Sequence, residues 1–264
     1  MLTLEGVTYR YPGAAGPALR GVDFELADGE VVGVVGAGEA GKSTLCLVAS
    51  GLAPRSVGGT LAGRLLIEGE DTIGQPIHEL VNRVAICFQN PASQLSQVAD
   101  TVYEEVAFGA LNLGLDRAEV AARTSAALAA LDIEVLAQRD PRHLSGGQMQ
   151  LVAVAGLLAM RPRHLVLDEP TAQLDPEGKR LVADALRRLS AEGMAFLVAE
   201  HDTDLLALIC DRVLVVDQGT LVLAGPAEEV LADPRLEAWG VEAPAPITMR
   251  RALDAAGVGS DVAL

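Results

Sequence analysis

One segment constrains the fold of this chain more than any other, because it joins an apolar strand, a loop of small residues and a helix. The apolar run Val31–Val35 is followed by the sequence GAGEAGKS at 36–43, and a helical pattern continues to residue 52. Small residues let successive backbone N–H groups close around an anion, and the positive end of the following helix favours negative charge. The segment therefore predicts a phosphate-binding loop of the GxxxxGK[ST] type.

The residue types in this loop suit a nucleoside triphosphate bound with a divalent cation. The side chain of Lys42 can reach the outer phosphates, and the hydroxyl of Ser43 can ligate Mg²⁺. We expect the whole loop to contact the nucleotide, through Gly36, Ala37, Gly38, Glu39, Ala40, Gly41, Lys42, Ser43 and Thr44. A glycine-rich turn without a ligand is the alternative interpretation.

A second apolar strand ends in two carboxylates. Residues 164–169 read HLVLDE, and open α/β folds bind ligands at the carboxyl edge of their strands. Asp168 is predicted to hold Mg²⁺, directly or through water, and Glu169 to polarise the attacking water as a general base. Two acids at a strand end also occur as a solvated turn, but beside a phosphate loop they indicate nucleotide hydrolysis.

Short apolar runs alternate with helical stretches, which predicts an α/β fold with a largely parallel core sheet. Strands are expected at 2–9, 31–35, 61–67, 84–88, 165–167, 195–199, 213–216 and 221–224, and helices are expected to start near Lys42, Asp116, Ser145, Pro176, Thr203 and Pro226. The first two strands, with a Pro- and Gly-rich bend at 12–17 and a turn at Asp28-Gly29, favour an antiparallel β flap.

The pattern also predicts how the chain is divided. From about 91 to 160 no strand pattern occurs, and the Ala- and Leu-rich sequence has helical spacing. We therefore predict a nucleotide-binding core with its β flap at 1–90 and 161–225, a helical subdomain at 91–160 and a C-terminal extension at 226–264.

Composition excludes several classes of protein. Asp and Glu number 36 against 20 Lys and Arg, and the resulting net charge of −16 repels phosphate backbones. Aromatic residues make up 3% of the chain, which is too few for a base-stacking platform. We therefore expect no nucleic-acid partner.

Other features concern the membrane and the redox compartment. No uninterrupted apolar stretch approaches the about 20 residues that span a bilayer, and the N-terminus begins with an alternating strand pattern rather than a signal peptide. Three widely spaced cysteines, Cys46, Cys87 and Cys210, form no CxxC motif and indicate core thiols in a reducing cytosol. We expect a chain that does not itself cross the membrane.

Further motifs give the chain a resemblance to ABC-type ATPases. Residues 144–148 read LSGGQ, which matches the signature motif of that family and precedes Asp168 at the family's spacing. Tyr11, Gln89, Asp175 and His201 complete the family's ordered set. The resemblance covers roughly residues 1–225. It implies a P-loop NTPase fold, ATP and Mg²⁺ as ligands, and ATP hydrolysis coupled to transmembrane transport.

The resemblance also implies roles within the chain's own nucleotide site. Tyr11 would stack on adenine, Gln89 would contact Mg²⁺ and the lytic water, and His201 would contact the γ-phosphate. Alternative interpretations are a core tyrosine at a strand edge, a solvated glutamine at a strand end and a structural histidine.

Another part of the resemblance implies a second subunit. Ser145, Gly146, Gly147 and Gln148 open a helix and would bind the γ-phosphate held by the other subunit. Asp175 would communicate across the pair, although a helix N-cap before Pro176 is also compatible with it. The chain would thus pair head to tail with another ABC ATPase, as a homodimer or heterodimer, with two ATP between them.

A narrower resemblance concerns transport. Residues 88–94, FQNPASQ, look like the FQNPxxQ sequence of the ATPases in energy-coupling factor transporters, which import vitamins or transition-metal ions such as cobalt and nickel. Residues 240–244, an amphipathic run at 247–256 and Ala256-Gly257 are similar to that group's C-terminal extension.

This narrower resemblance implies partners and a location. The chain would dock on a transmembrane scaffold subunit beside a separate membrane substrate-binding subunit, as a peripheral protein on the cytoplasmic face of the cell membrane. A conventional ABC importer or exporter ATPase is the alternative, and an ABC ATPase without a membrane partner is a third possibility.

Three residues depart from the family's pattern, and one of them, Leu151, stands where an arginine is common after the signature. Glu39 stands where glycine is usual, which costs on the order of 1 kcal/mol if the backbone there has a positive φ, and we expect its side chain to point outward. Gln173 replaces a small residue before Leu174. The catalytic positions are all present, at Lys42, Gln89, Glu169 and His201, so we expect an active hydrolase.

Overall fold

The computed structural model describes residues 1–255. Its strands are β1 Leu2–Arg10, β2 Leu19–Leu26, β3 Val31–Val35, β4 Thr60–Ile67, β5 Glu70–Asp71, β6 Val84–Cys87, β7 His164–Asp168, β8 Ala195–Ala199, β9 Arg212–Asp217 and β10 Thr220–Pro226. Its α-helices are α1 Lys42–Ala49, α2 Leu52–Arg55, α3 Ile77–Leu80, α4 Val102–Asn112, α5 Arg117–Ala130, α6 Gly146–Met160, α7 Pro176–Ala191, α8 Thr203–Ile209, α9 Ala227–Leu231 and α10 Ala245–Ala255.

The core is a six-stranded sheet in the order β10-β9-β3-β8-β7-β6. The pairs β6–β7, β7–β8, β8–β3 and β3–β9 are parallel, and β10 pairs antiparallel with β9. Every residue of β3, β7 and β8 is buried, because packed elements cover both faces of the sheet. The predicted α/β fold is confirmed, and the carboxyl ends of β3, β6, β7 and β8 meet at one edge.

A second, antiparallel sheet has the order β2-β1-β4-β5. The expected pairing of the first two strands is wrong in one respect: β1 pairs with Leu19–Leu26, a strand that the sequence analysis did not identify, while Val31–Val35 lies in the core sheet. The apolar alternation of β2 is interrupted at Gly21, where φ is 57°. The β1–β2 register shifts beside it, between Val7 and Tyr9, so the period of two is lost in this strand.

The principal helices begin close to where the sequence placed them, within one residue of all six expected starts. Helix α4 was not predicted, although Thr101 and Glu104 form a capping box at its N-terminus, with the Glu104 N–H donating to the Thr101 hydroxyl at 3.2 Å. Helices α4, α5 and α6 pack together between β6 and β7 in the chain. The boundaries of the predicted domains stay a prediction.

The described part of the C-terminal extension ends in α10. The backbone N–H of Ala245 donates to Asp204 Oδ1 at 2.8 Å, which fixes the start of this helix on α8. Residues Ala256 and Gly257 of the predicted extension lie outside the described residues. Between residues 1 and 255, no helix has the length and apolar character needed to cross a membrane.

Candidate active site

A cleft of about 570 Å³ opens at the carboxyl edge of the core sheet. The phosphate loop from β3, Gln89 after β6, Glu169 after β7 and His201 after β8 all contribute to it. Parallel strands place their carboxyl ends together, so residues far apart in sequence converge here. The cleft is lined by Tyr11, Pro17, Ala18, Arg20, Gly38, Glu39, Ala40, Gly41, Lys42, Ser43, Thr44, Gln89, Glu169, His201, Gln218 and Gly219.

The phosphate loop leaves β3 and enters α1 through backbone conformations that favour glycine. Gly41 has φ of 114°, and a Cβ there would lie 3.1 Å from the Ala18 carbonyl oxygen, so a side chain would be both strained and crowded. Glu39 has φ of 62°, and its side chain is exposed. Its left-handed backbone costs on the order of 1 kcal/mol relative to glycine. Glutamate in place of glycine at this position therefore strains the backbone, and its carboxylate is exposed to solvent at the edge of the cleft.

Lys42 is buried inside the loop that precedes it. Its Nζ donates hydrogen bonds to the carbonyl oxygens of Gly36, at 2.8 Å, and Ala37, at 3.0 Å. Burial lowers the pKa of Lys42, while the nearby charges of Glu169 and Asp168 act in the opposite direction. The ammonium donates to two carbonyl oxygens that a phosphate oxygen could replace, so the side chain is suited to bind an anion.

Two oxygen donors lie at the start of α1 and the end of β7. The Ser43 hydroxyl donates to Asp168 Oδ1 at 3.1 Å. Burial raises the pKa of Asp168, and the charges of Glu169 and Glu200 raise it further. A cation at this position would relieve that unfavourable charge. Hydroxyl and carboxylate oxygens beside a phosphate site are ligands that suit Mg²⁺.

The donor set also distinguishes this position from an all-protein metal centre. Across residues 1–255, His, Cys, Asp and Glu form no cluster of three or more that could hold a metal ion. Mg²⁺ is usually held by one or two carboxylates together with substrate phosphates and water. The residues present therefore fit a magnesium ion that arrives with the nucleotide.

Glu169 is held between two side chains from neighbouring strand ends. Its Oε2 accepts a hydrogen bond from Gln89 Nε2 at 2.7 Å, and its Oε1 lies 3.2 Å from His201 Nε2. The backbone of Glu169 has φ of 50°, a conformation that is uncommon outside glycine and occurs at functional sites. The three groups can together hold a water molecule beside a carboxylate able to accept its proton.

An aromatic ring closes another side of the cleft. Tyr11 packs edge-on against Tyr9, with ring centroids 5.0 Å apart, and its hydroxyl lies 3.1 Å from Thr44 Oγ1. The ring of Tyr11 thus lies beside the phosphate loop, where a nucleotide base can stack on it.

Part of this wall was not predictable from the sequence. Arg20 lines the cleft, and its backbone N–H donates to the Gly219 carbonyl at 2.8 Å. Arg20 lies on the unpredicted strand β2, and Gly219 lies in the turn between β9 and β10. Their approach depends on how the flap packs on the core, so no local motif could have identified them.

The signature residues do not line the cleft of their own chain. Ser145 is the N-cap of α6 and forms a capping box with Gln148, whose N–H donates to the Ser145 hydroxyl at 3.3 Å. The loop after β7 crosses these residues, because a Cβ on Gly147 would lie 3.1 Å from the Gln173 carbonyl oxygen and one on Gly146 would collide with the Gln173 side chain. Asp175, also outside the cleft, is the N-cap of α7 and accepts a hydrogen bond from Gly178 N at 2.8 Å.

Comparison with known proteins agrees with this geometry. The model of the ABC transporter family matches residues 19–172. The energy-coupling factor transporter ATP-binding protein EcfA of Methanosphaera stadtmanae is 39% identical over 236 residues, covering 88% of this chain and 82% of its own length.

Solved structures extend the comparison. CbiO1 of Clostridium perfringens, described as part of the ABC transporter complex cbiONQ, superposes with a TM-score of 0.77 at 35% identity, covering 89% of this chain and 92% of its own. A dimeric ATP-binding cassette in a post-hydrolysis state with ADP and Pi gives a TM-score of 0.76 at 26% identity, covering 86% of this chain and 99% of its own.

This chain belongs to the ABC transporter family, as an ATP-binding, ATP-hydrolysing subunit. The resemblance read from the signature, the phosphate loop and the acidic pair is confirmed, as is the narrower similarity to energy-coupling factor ATPases. The role of each individual residue stays a prediction.

Proposed function

We propose that this chain is the ATPase of an energy-coupling factor importer for a vitamin or a transition-metal ion, working at the cytoplasmic face of the membrane. Support comes from the identity to EcfA and CbiO1 and, above all, from the local structure of residues 88–94. Each polar residue of the FQNPxxQ sequence has a defined contact there. The Gln94 side chain accepts a hydrogen bond from Phe88 N at 3.2 Å, and Asn90 Oδ1 accepts one from Ala92 N at 3.1 Å.

These contacts close the loop after β6 against itself, so the loop can move as a unit. One end of the loop carries Gln89, which is bonded to Glu169 in the nucleotide cleft. The other end carries Gln94, which lines a groove of about 620 Å³ between the core and helices α4 and α6. A docking event in the groove is thereby connected, through the six consecutive residues 89–94, to the hydrolytic site.

The groove has the character of a docking surface. Its walls include Leu95, Phe108, Val152, Leu157 and Met160. Phe108, on α4, is 40% exposed and presents an apolar ring in this groove. We propose that an apolar segment of the transmembrane scaffold subunit occupies this groove.

We propose a composite site for hydrolysis, formed by two chains that pair head to tail. In each half, Lys42 and the loop amides hold the phosphates, Tyr11 stacks on adenine, and the other subunit's α6 N-terminus faces the γ-phosphate. The signature residues lie outside the cleft of their own chain, which supports this arrangement. Closure of the dimer would move the groove, and hydrolysis would reopen it.

Within that site, the protein catalyses hydrolysis by positioning the water and the phosphates and by stabilising the charge that develops in the transition state. Ser43, Asp168 and the Gln89 side-chain oxygen would hold Mg²⁺, which supplies charge neutralisation at the phosphates. Gln89 and His201 orient the water beside Glu169, and the Glu169 carboxylate accepts its proton.

The substitution Glu169→Gln tests the hydrolytic assignment. E169Q keeps the size of the side chain but removes the base, so turnover should fall by orders of magnitude while ATP binding is retained. Steady-state ATPase rates and equilibrium binding measure the two properties. Glu228→Gln, an exposed glutamate on α9, is the matched control and should behave as wild type. Wild-type turnover in E169Q would remove Glu169 from its role.

Affinity purification from detergent-solubilised membranes of the native host tests the transport assignment. Recovery of a membrane scaffold with a small integral substrate binder supports the proposal, and the binder identifies the cargo. Recovery of an extracytoplasmic solute-binding protein would favour a conventional importer. Phe108→Asp should release the scaffold, whereas Val135→Asp, at a position 79% exposed outside the groove, should not. Soluble partners alone would refute the proposal.

A further inference from the structure

Glu200 is a buried carboxylate that the mechanism above does not use. It follows β8, precedes His201 and is 4% exposed. Its Oε1 accepts hydrogen bonds from Thr171 N at 3.0 Å and from Thr171 Oγ1 at 2.5 Å, and its Oε2 accepts one from His201 N at 3.1 Å. Burying a carboxylate is costly unless it is hydrogen-bonded, so these three bonds define where Glu200 lies.

The bonds join two loops that carry different parts of the hydrolytic site. Thr171 comes two residues after Glu169, in the loop that leads from β7 to Asp175. His201 begins the loop that follows the neighbouring strand β8. A single carboxylate therefore bridges the segment after the general base and the backbone of the histidine that contacts it.

The conformation of Glu169 indicates why such a bridge is needed. Its φ of 50° is unfavourable for a residue with a side chain, by about 1 kcal/mol. Such backbone persists only where surrounding contacts over-determine it. The Glu169 N–H donates a hydrogen bond to the Ala199 carbonyl oxygen at 2.9 Å. Two residues further along the chain, the hydrogen bonds from Thr171 to Glu200 hold the segment that follows Glu169.

We propose that Glu200 is a positioning residue for ATP hydrolysis, which holds the carboxylate of Glu169 and the imidazole of His201 in their contact at 3.2 Å. It acts through backbone and through Thr171, and it is not among the residues that line the cleft. The inference rests on the proposed function, because it takes Glu169 and His201 to act in hydrolysis.

The substitution Glu200→Gln breaks the bridge between Thr171 and His201 without changing the size of the side chain. An amide has one acceptor oxygen, so its NH₂ group must face either the donors of Thr171 or the N–H of His201, and one connection is lost. A displacement of about 1 Å at a catalytic group costs on the order of 100-fold in rate. We expect kcat of E200Q to fall by about 10- to 100-fold, and ATP affinity to change much less, because the hydrogen bonds of Lys42 within its loop stay in place. The charge of Glu200 also acts on Lys42 and Asp168, so a variant that keeps this charge is needed as well.

Thr171→Val is a milder second variant, which removes the hydroxyl bond and keeps the backbone bond. Its kcat should fall less than that of E200Q, and Thr171→Ser, which retains a hydroxyl, should restore it. The matched control is Thr124→Val, because Thr124 is 0% exposed and its hydroxyl has no hydrogen-bond partner. T124V makes the same chemical change in the core without breaking a bond.

The experiment compares the full-length variants with wild type and E169Q. It measures kcat and KM for ATP, the equilibrium affinity for a non-hydrolysable ATP analogue and the thermal midpoint. The inference is supported if kcat is reduced in E200Q and T171V, is restored to the wild-type value in T171S and is unchanged in T124V. ATP affinity should be unchanged in T171V, which keeps the charge of Glu200, and should change much less than kcat in E200Q. If E200Q does not fold, the inference is tested by comparing kcat of T171V with kcat of T171S and T124V.

Two results would overturn the inference. A wild-type kcat in E200Q shows that the bridge does not matter for hydrolysis. A parallel loss of kcat, affinity and thermal midpoint shows a structural role only. Full turnover in E169Q would instead refute the proposed function, whereas inactive E169Q beside active E200Q would refute this inference alone.

Discussion

Glu39 in the phosphate loop gives a quantitative test, because its conformation and its charge can be separated by two substitutions. Glu39→Gly removes both the side chain at φ of 62° and the carboxylate. Glu39→Gln removes the charge and keeps the strained backbone. The difference between the two variants reports strain, and the difference between E39Q and wild type reports charge.

The expected stability change of E39G is small. Relief of the left-handed backbone contributes about 1 kcal/mol, and the greater freedom of glycine in the unfolded chain offsets about 0.4–1 kcal/mol of it. The free energy of unfolding should therefore rise by about 0–0.6 kcal/mol. For a chain of this size, that corresponds to a thermal midpoint higher by less than about 2 °C.

The expected change in ATP affinity comes from charge. Glu39 is exposed in a cleft that is to receive phosphates, so the repulsion is screened by water and amounts to at most about 1 kcal/mol. Both E39Q and E39G should bind ATP more tightly, by up to about fivefold. The gain should disappear at about 1 M salt, where the screening length is about 3 Å.

Titration calorimetry at low and high salt measures the affinity, and denaturant titration measures the stability. Glu228→Gln, which removes an exposed charge remote from the cleft, should change neither. An unchanged affinity of E39Q at low salt would refute the repulsion. A loss of more than about 1 kcal/mol of stability in E39G would refute the assignment of strain.

Three further outcomes are expected. Lys42→Ala should weaken ATP binding, measured by calorimetry, because it removes the buried ammonium of the phosphate loop; an unchanged affinity would contradict the loop assignment. Gln173→Glu places a carboxylate against the signature glycines and should weaken ATP-dependent dimerisation in an E169Q background, measured by light scattering against E169Q alone. Burial lowers the pKa of His164, so the unfolded chain binds the proton more readily, and stability should be lost as pH falls below about 6.5. Thermal midpoints of wild type and His164→Gln between pH 5 and 8 check this, and equal pH dependence would contradict it.

Local motifs made much of the nucleotide site predictable. The strand, loop and helix around 31–52 are contiguous in the sequence, so their arrangement follows from composition and spacing. Asp168 and Glu169 end an apolar run, and the parallel sheet necessarily places that end beside the phosphate loop.

Contacts between distant segments were not predictable. The bond between Thr171 and Glu200 joins residues on neighbouring strand ends, and nothing in the sequence near either residue signals the other. Arg20 was missed partly for the same reason, because its place in the cleft depends on how the flap packs on the core. In addition, Gly21 interrupts the alternation of β2 and hides the strand. The capping box at Thr101 was a readable signal for α4 that the helical spacing alone did not reveal.

The separation of the signature residues from the cleft of their own chain has a genetic consequence in the proposed pair. A K42A subunit has a defective cleft and a sound signature, whereas a subunit altered at Gly147 has the reverse. Where the pair consists of two copies of this chain, each variant alone forms dimers with two defective sites. A mixed dimer combines both defects in one site and leaves the other intact. Two inactive alleles expressed together should therefore complement each other, as alleles of an enzyme with self-contained active sites do not.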